Sequence, residues 1–121
     1  VQPETSFKRR VHYRIDRLTP RGAVFRQAME AGGGVPDYYY ESQGRHLWVE
    51  YKVSPNRPSK KQTAWLRRAW ANGQPVWLAT YYPKTGKVKV KHGKDTMTLA
   101  SIDDFVLQML AHLLTDRSVS L

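Results

Sequence analysis

The sequence contains no cysteine, which excludes a disulfide scaffold and a cysteine nucleophile. It is short of acid: 10 Asp plus Glu face 20 Lys plus Arg across 121 residues, a formal charge of +10 with histidine neutral. Long apolar runs are missing too. Stretches such as Val76 to Ala79 and Phe105 to Val106 fall far short of the ~20 residues that a membrane span needs, so no membrane partner is expected. The segment Val1-Gln2-Pro3-Glu4 lacks the basic-then-apolar pattern of an export signal, and an intracellular, cytoplasmic location is the expectation. Repeats, low-complexity segments and linkers are absent as well, so residues 1–121 are expected to form a single domain. What is present is 40% hydrophobic residues, including four Trp, seven Tyr and three Phe. That is enough for a modest core and too much for a disordered polybasic tail. The cationic excess points to a polyanion, because each Lys or Arg that meets a phosphate releases condensed counterions. Nucleic acid is the first partner to consider.

Phe7, Val11, Ile15 and Leu18 recur at helical spacing, Pro3 and Glu4 suit a first turn, and Pro20-Arg21-Gly22 ends the run. The spacing predicts a helix from about Glu4 to Leu18, apolar inward and cationic outward through Lys8, Arg9, Arg10, Arg14 and Arg17. Ala23 to Gln27 reads as a short strand. Asp37 to Glu41 and His46 to Lys52 read as a hairpin around Ser42-Gln43-Gly44-Arg45. Ser59 followed by Gln62 matches a capping box and Asn72-Gly73 a helix stop, which places a second helix over Ser59 to Ala71. Val76 to Tyr81 suits a buried strand. Lys87 to Lys91 alternates valine with lysine as a half-exposed edge strand does, and Thr96 to Leu99 suits a further short strand. Ser101 and Asp104 open a closing helix that ends near Arg117. The expected class is α/β, with helices packed on a mixed sheet.

Centring the hairpin on Gln43 and Gly44 opposes Glu41 with His46, Tyr39 with Trp48, and Asp37 with Glu50. Directly opposed carboxylates have Cβ atoms ~4.5–5.5 Å apart and repel unless positive charge stands between them. A divalent cation would supply that charge. Lys52 lies two residues beyond Glu50 and so projects from the same face, whereas Tyr38, Tyr40, Leu47, Val49 and Tyr51 point to an opposite, apolar face. Two carboxylates are hard oxygen ligands suited to Mg²⁺, which keeps several waters and leaves room for a phosphate oxygen. The chemistry that follows is phosphodiester hydrolysis. The cation lowers the pKa of a water and neutralises charge building on the phosphate, while Lys52 orients the water or stabilises the same charge.

Gly34-Val35-Pro36-Asp37, then Val49-Glu50-Tyr51-Lys52, then Ser59 with Gln62 make a pattern that resembles the virus-type replication-repair nucleases (VRR-NUC). That family belongs to the PD-(D/E)xK nucleases and shows a G-V-P-D strand, an E-x-K strand and a helix opening with S-x-x-Q. The likeness runs from about Glu4 to Ala79 and includes Trp65-Leu66 and Gly73. The resemblance implies a restriction-endonuclease-like fold, a mixed central sheet flanked by helices. It implies Asp37, Glu50 and the Tyr51 backbone carbonyl as ligands of Mg²⁺, with Mn²⁺ as a substitute, and Lys52 as the catalytic lysine. Gln62 is implied as an active-site residue near the phosphate, and Glu4 as a further acidic ligand on the first helix. Small stand-alone members act as two-fold dimers that cleave Holliday junctions, so a homodimer acting on branched DNA is expected. A viral protein working inside a host cell fits the same resemblance. The polar hairpin face carrying Tyr39 and Trp48 and the cationic segment Lys84 to Lys94 depart from the shared pattern.

Some of these residues have simpler explanations. A capping-box glutamine that reaches back to the Ser59 amide accounts for Gln62, and Glu4 suits the positive end of a helix. Tyr39 and Trp48 either pack beneath a neighbouring helix or stack on an unpaired base. Trp65, Trp70 and Trp77 suit a core. The four histidines lack metal-ligand spacing, and only His46 falls on the site face. Arg57, Lys60, Lys61, Arg67 and Arg68 have little compensating acid nearby and are expected to face phosphates. The expected function is a metal-dependent DNA endonuclease selective for structure, resembling a Holliday junction resolvase. The alternative is a non-catalytic basic nucleic-acid-binding module on a nuclease-like fold. Phe105 to Leu114, with Trp70 and Trp77, offers a hydrophobic surface for pairing two copies.

Overall fold

The computed structural model describes residues 2–30 and 32–114. In chain order it contains α1 (Pro3–Leu18), β1 (Phe25–Ala28), β2 (Tyr38–Ser42), β3 (Arg45–Val53), α2 (Lys60–Ala71), β4 (Val76–Tyr82), β5 (Lys87–His92), β6 (Asp95–Leu99) and α3 (Ile102–Leu114). The strands form one sheet in the order β1-β2-β3-β4-β5-β6. Every neighbouring pair is antiparallel except β3 and β4, which run parallel and are joined by α2 as the crossover that such a pair requires. The elements follow the sequence reading closely. Asp37 stands one residue ahead of β2, and the expected end of the last helix near Arg117 lies outside the described residues.

Strand periodicity divides the core in two. Tyr40, Leu47, Val49, Tyr51, Ala79, Val88 and Val90 point to one face, where α1 and α3 cover them with Phe7, Val11, Ile15, Phe105, Met109 and Leu113. Each fully buried side chain of this size contributes roughly 1.5–3 kcal/mol, so this layer is the main source of stability. On the other face α2 lays Leu66 and Ala69 over Trp48, Val76 and Leu78. Trp48 meets Trp65 edge to face at 5.4 Å, so it packs beneath the helix rather than presenting its ring for stacking. Because α2 covers only part of that face, Lys87, Lys89 and Lys91 of β5 stay exposed there.

The surface expected to pair two copies is used up inside the chain. Phe105, Val106, Met109, Leu110 and Leu113 are buried on the sheet, Trp77 packs on Phe105 at 6.1 Å, and Trp70 donates to the Val76 carbonyl at 2.8 Å. The reason is that α3 is apolar on the side the sheet needs, and of its large apolar residues only Leu107 and Leu114 are exposed. Leu18, expected inward, is also exposed, at the last position before the chain leaves α1. Among the described residues no helix is long and apolar enough to cross a membrane.

Candidate active site

The β2–β3 hairpin turns at Gln43 and Gly44, both with positive φ (49° and 82°), the conformation that a two-residue turn between right-twisted strands demands. That turn sets Tyr39 opposite Trp48 and Tyr38 opposite Val49, which is the register expected from sequence. Asp37 follows at the mouth of the ladder. Its backbone carbonyl accepts from Met29 N–H at 2.9 Å, and its Oδ2 accepts from Tyr51 N–H at 2.9 Å. The carboxylate therefore closes the end of the sheet where β2 stops. A strand residue sends its N–H and C=O out on the same side, so the Tyr51 carbonyl leaves β3 toward Asp37 as well.

Glu50 is 1% exposed, the one Asp, Glu, Lys or Arg side chain buried among the described residues. Its Oε2 is held twice, by Lys52 Nζ at 3.3 Å and by Gln62 Nε2 at 3.0 Å. Its Oε1 is buried and, among the described residues, has no hydrogen-bond partner. Burial, with Asp37 adding to it, pushes the Glu50 carboxyl up to about 7, against the opposing pull of Lys52 and Lys8. An unpartnered buried carboxylate oxygen costs free energy unless something positive meets it.

Gln62 reaches Glu50 because α2 starts where it does. Ser59 Oγ accepts from Gln62 N–H at 3.1 Å while Gln62 Oε1 accepts from Ser59 N–H at 2.8 Å, the reciprocal capping box. The amide's other end is then free to donate to Glu50. Gly34 sets the approach of this helix. A Cβ at Gly34 would stand 2.2 Å from the Lys61 carbonyl oxygen and 2.7 Å from Gln62 N, and its φ of +82° favours glycine independently. The glycine of G-V-P-D thus lets the loop before Asp37 touch the first turn of α2.

The structure brings Asp37, Glu50, Lys52, Gln62 and the Tyr51 backbone together. It sends Glu4 elsewhere: Glu4 Oε2 accepts from Val53 N–H at 3.2 Å and Asn56 Nδ2 at 2.9 Å. Among the described residues no cluster of three or more His, Cys, Asp or Glu side chains is arranged to hold a metal. A cation here would rest on two carboxylates and backbone or solvent oxygen, a set that suits Mg²⁺. The orphaned Glu50 Oε1 fits such an occupant.

Arg57, Lys60, Lys61, Arg67 and Arg68 are all exposed, and none forms an ion pair among the described residues. The cations of α1 are more engaged. Arg14 pairs with Asp103, Arg10 lies over the Tyr81 ring at 5.1 Å, and Arg17 donates to Tyr13 at 2.8 Å. Lys8, read from the sequence only as an outward cation of the first helix, was missed as a neighbour of the site. Its Nζ stands 3.8 Å from Asp37 Oδ1, and the one signal for it was the four-residue spacing from Glu4, which puts both on one side of the helix. His12 was missed as well. It is buried, bonds Tyr40 Oη at 2.7 Å, and Tyr40 Oη in turn lies 2.6 Å from Tyr51 Oη. His46, on the site face as expected, pairs with Gln74 Oε1 at 3.2 Å, away from Glu50.

The six-stranded mixed sheet between helices is a restriction-endonuclease-like fold. The chain is similar in structure to Archaeoglobus fulgidus Hjc, a Holliday junction resolvase from an archaeal hyperthermophile, with a TM-score of 0.50 at 15% identity over 87% of this chain and 89% of that one. At that identity the likeness is one of fold. No family model and no curated protein matches the sequence.

Proposed function

We propose that the protein is a metal-dependent DNA endonuclease of the VRR-NUC kind, acting on branched DNA as a homodimer. The observation that carries this reading is Glu50: a buried carboxylate with one oxygen anchored by Lys52 and Gln62, the other unpartnered, and Asp37 beside it. A purely structural site would not retain two repelling acids at the mouth of a sheet in a chain of charge +10.

Asp37 and Glu50, with the Tyr51 carbonyl, would hold Mg²⁺ or Mn²⁺. The ion supplies charge neutralisation at the phosphate and a water of lowered pKa. The protein's own groups do the positioning. Tyr51 N–H holds Asp37 Oδ2, which leaves Oδ1 facing Lys8 at 3.8 Å, and Gln62 with Lys52 holds Glu50 Oε2, which leaves Oε1 for the ion. Lys52, still partly exposed, keeps protons available for a phosphate oxygen as negative charge grows there. The exposed cations of α2 hold the polyanion over this acidic spot. Two symmetric nicks in a junction need two centres, and a chain with one site meets that need by two-fold pairing.

The test is cleavage of labelled four-way junction and linear duplex with Mg²⁺, Mn²⁺, Ca²⁺ or EDTA, alongside sedimentation at micromolar concentration. Cleavage is expected with the first two ions only, the junction is preferred, and the protein sediments as a dimer. Asp37→Asn, Glu50→Gln and Lys52→Ala should bind DNA and fail to cut it. Asp37→Asn protein that cuts like the wild type would overturn the site, and binding without any cleavage would return the non-catalytic module.

A further inference from the structure

The basic segment Lys84 to Lys94 has no part in the site described above. It forms β5 and its flanking turns, with Val88 and Val90 buried and Lys87, Lys89 and Lys91 exposed on the opposite face. Strand register carries that face back to the acidic centre. Lys91 pairs with Leu78, which pairs with Glu50; Lys89 pairs with Thr80, which pairs with Lys52. Two strand spacings, about 10 Å, separate each lysine from its site residue.

A cavity of about 580 Å³ lies on that face, floored by Leu78, Thr80, Lys89 and Lys91 and walled by the turn from Ser54 to Pro58, which carries Arg57. Among the described residues no carboxylate lines it. Among the described residues Arg57, Lys89 and Lys91 form no ion pair, so three like charges share one groove uncompensated. The wall is braced from below, because Glu4 on α1 accepts from Val53 N–H and from Asn56 Nδ2 within the turn. A fixed, open, cationic groove on the same sheet face as the proposed acidic centre suits a strand whose charge is repeated along its length.

We propose that this groove is a backbone track for the nucleic-acid strand being cut, in which Lys89 and Lys91, with Arg57 opposite, hold phosphates flanking the one at Asp37, Glu50 and Lys52. The inference rests on the nuclease reading and extends it to a surface outside that site. Contacts of this kind position the strand and carry no sequence information.

The test compares K89A/K91A with K84A/K94A, which removes the same charge from the turns outside the cavity. Binding of duplex DNA is followed against salt in EDTA, and cleavage is followed with Mg²⁺. A third arm uses substrates with single neutral methylphosphonates on either side of the cut. K89A/K91A should bind about tenfold more weakly near 0.1 M salt and lose about 1.8 from the log-log salt slope, as for two phosphates released. Its KM should rise with kcat little changed, and methylphosphonates that weaken the wild type on one side of the cut should have no effect on it. Equal losses in the two double variants, or an unchanged methylphosphonate pattern in K89A/K91A, would overturn the track. A wild type that never cleaves, yet binds through Lys89 and Lys91, would sink the nuclease reading while supporting the groove as a nucleic-acid site.

Discussion

Gln62 and Glu50 are joined by a 3.0 Å hydrogen bond from the Gln62 amide nitrogen, while the oxygen of the same amide accepts from the Ser59 backbone at 2.8 Å. One side chain thus starts α2 and anchors the buried carboxylate. The cap and the contact to the candidate site, which stand as alternatives in the sequence, use its two ends. Substitutions can separate them. Gln62→Ala should lose about 0.5–1 kcal/mol of stability from the cap and most of the cleavage rate. Gln62→Glu keeps an oxygen for Ser59 but turns a second oxygen toward Glu50, so it should retain the cap and lose the rate. Wild-type cleavage by Gln62→Glu would reduce Gln62 to a cap.

Gly34 should tolerate no side chain. Gly34→Ala brings its Cβ against backbone atoms of Lys61 and Gln62 that cannot swing away, in addition to the strain of a positive φ. Gly33 has a similar φ of +80° but open space around it. Gly33→Ala is therefore expected to cost about 1 kcal/mol, and Gly34→Ala clearly more, with a loss of cleavage as Gln62 shifts. Urea midpoints of the two variants measure the difference, and equal midpoints would remove the steric argument.

Two buried groups make opposite contributions to stability over the same pH range. Burial, then the nearby Arg26, lowers the His12 imidazole from 6.5 to about 4, so the unfolded chain binds more protons and this contribution is lost as pH falls through that window. Glu50 is raised from 4.5 to about 7, so its contribution is present below the lower value and lost as pH rises toward the upper one. In metal-free protein the two slopes, each at most ~1.4 kcal/mol per pH unit, should largely cancel. Glu50→Gln should expose a stability that rises between about pH 5 and 6.5, and His12→Gln one that falls. Urea melts in EDTA at both pH values test this, and parallel curves for the two variants would contradict it.

Lys8 stands where it competes with an added cation for Asp37. Lys8→Gln should lower the Mg²⁺ concentration for half-maximal cleavage and destabilise the metal-free protein by less than about 1 kcal/mol, as befits a partly exposed pair. A Mg²⁺ titration followed by rate and by melting temperature gives both readouts. An unchanged midpoint would leave Lys8 as a surface ion pair without influence on the ion.

Much of this protein is written in interactions that span only a few residues. Gln43 and Gly44 can turn the chain in only a few ways, and that turn alone sets the ladder as far as Tyr38 opposite Val49, one step short of the expected pair of Asp37 with Glu50. Ser59 and Gln62 start α2 from within four residues, and the alternation along β3 and β5 decides which side chains share a face. Spacing is enough to reveal such features, because their partners lie at fixed offsets along the chain. The rest depended on which distant surfaces came together. Nothing in the run Lys8-Arg9-Arg10 marks the lysine as the residue that meets Asp37, and nothing near Glu4 shows that Val53 and Asn56 would claim it. The burial that raises the pKa of Glu50 requires α2 to close over β3 and β4. The lysines of β5 reach the site face because the parallel crossover through α2 lays β4 beside β3, so that β5 follows next to it. Such contacts reflect the packing of the whole chain, in which the hydrophobic demand of both sheet faces chooses the arrangement and the polar side chains are placed by it.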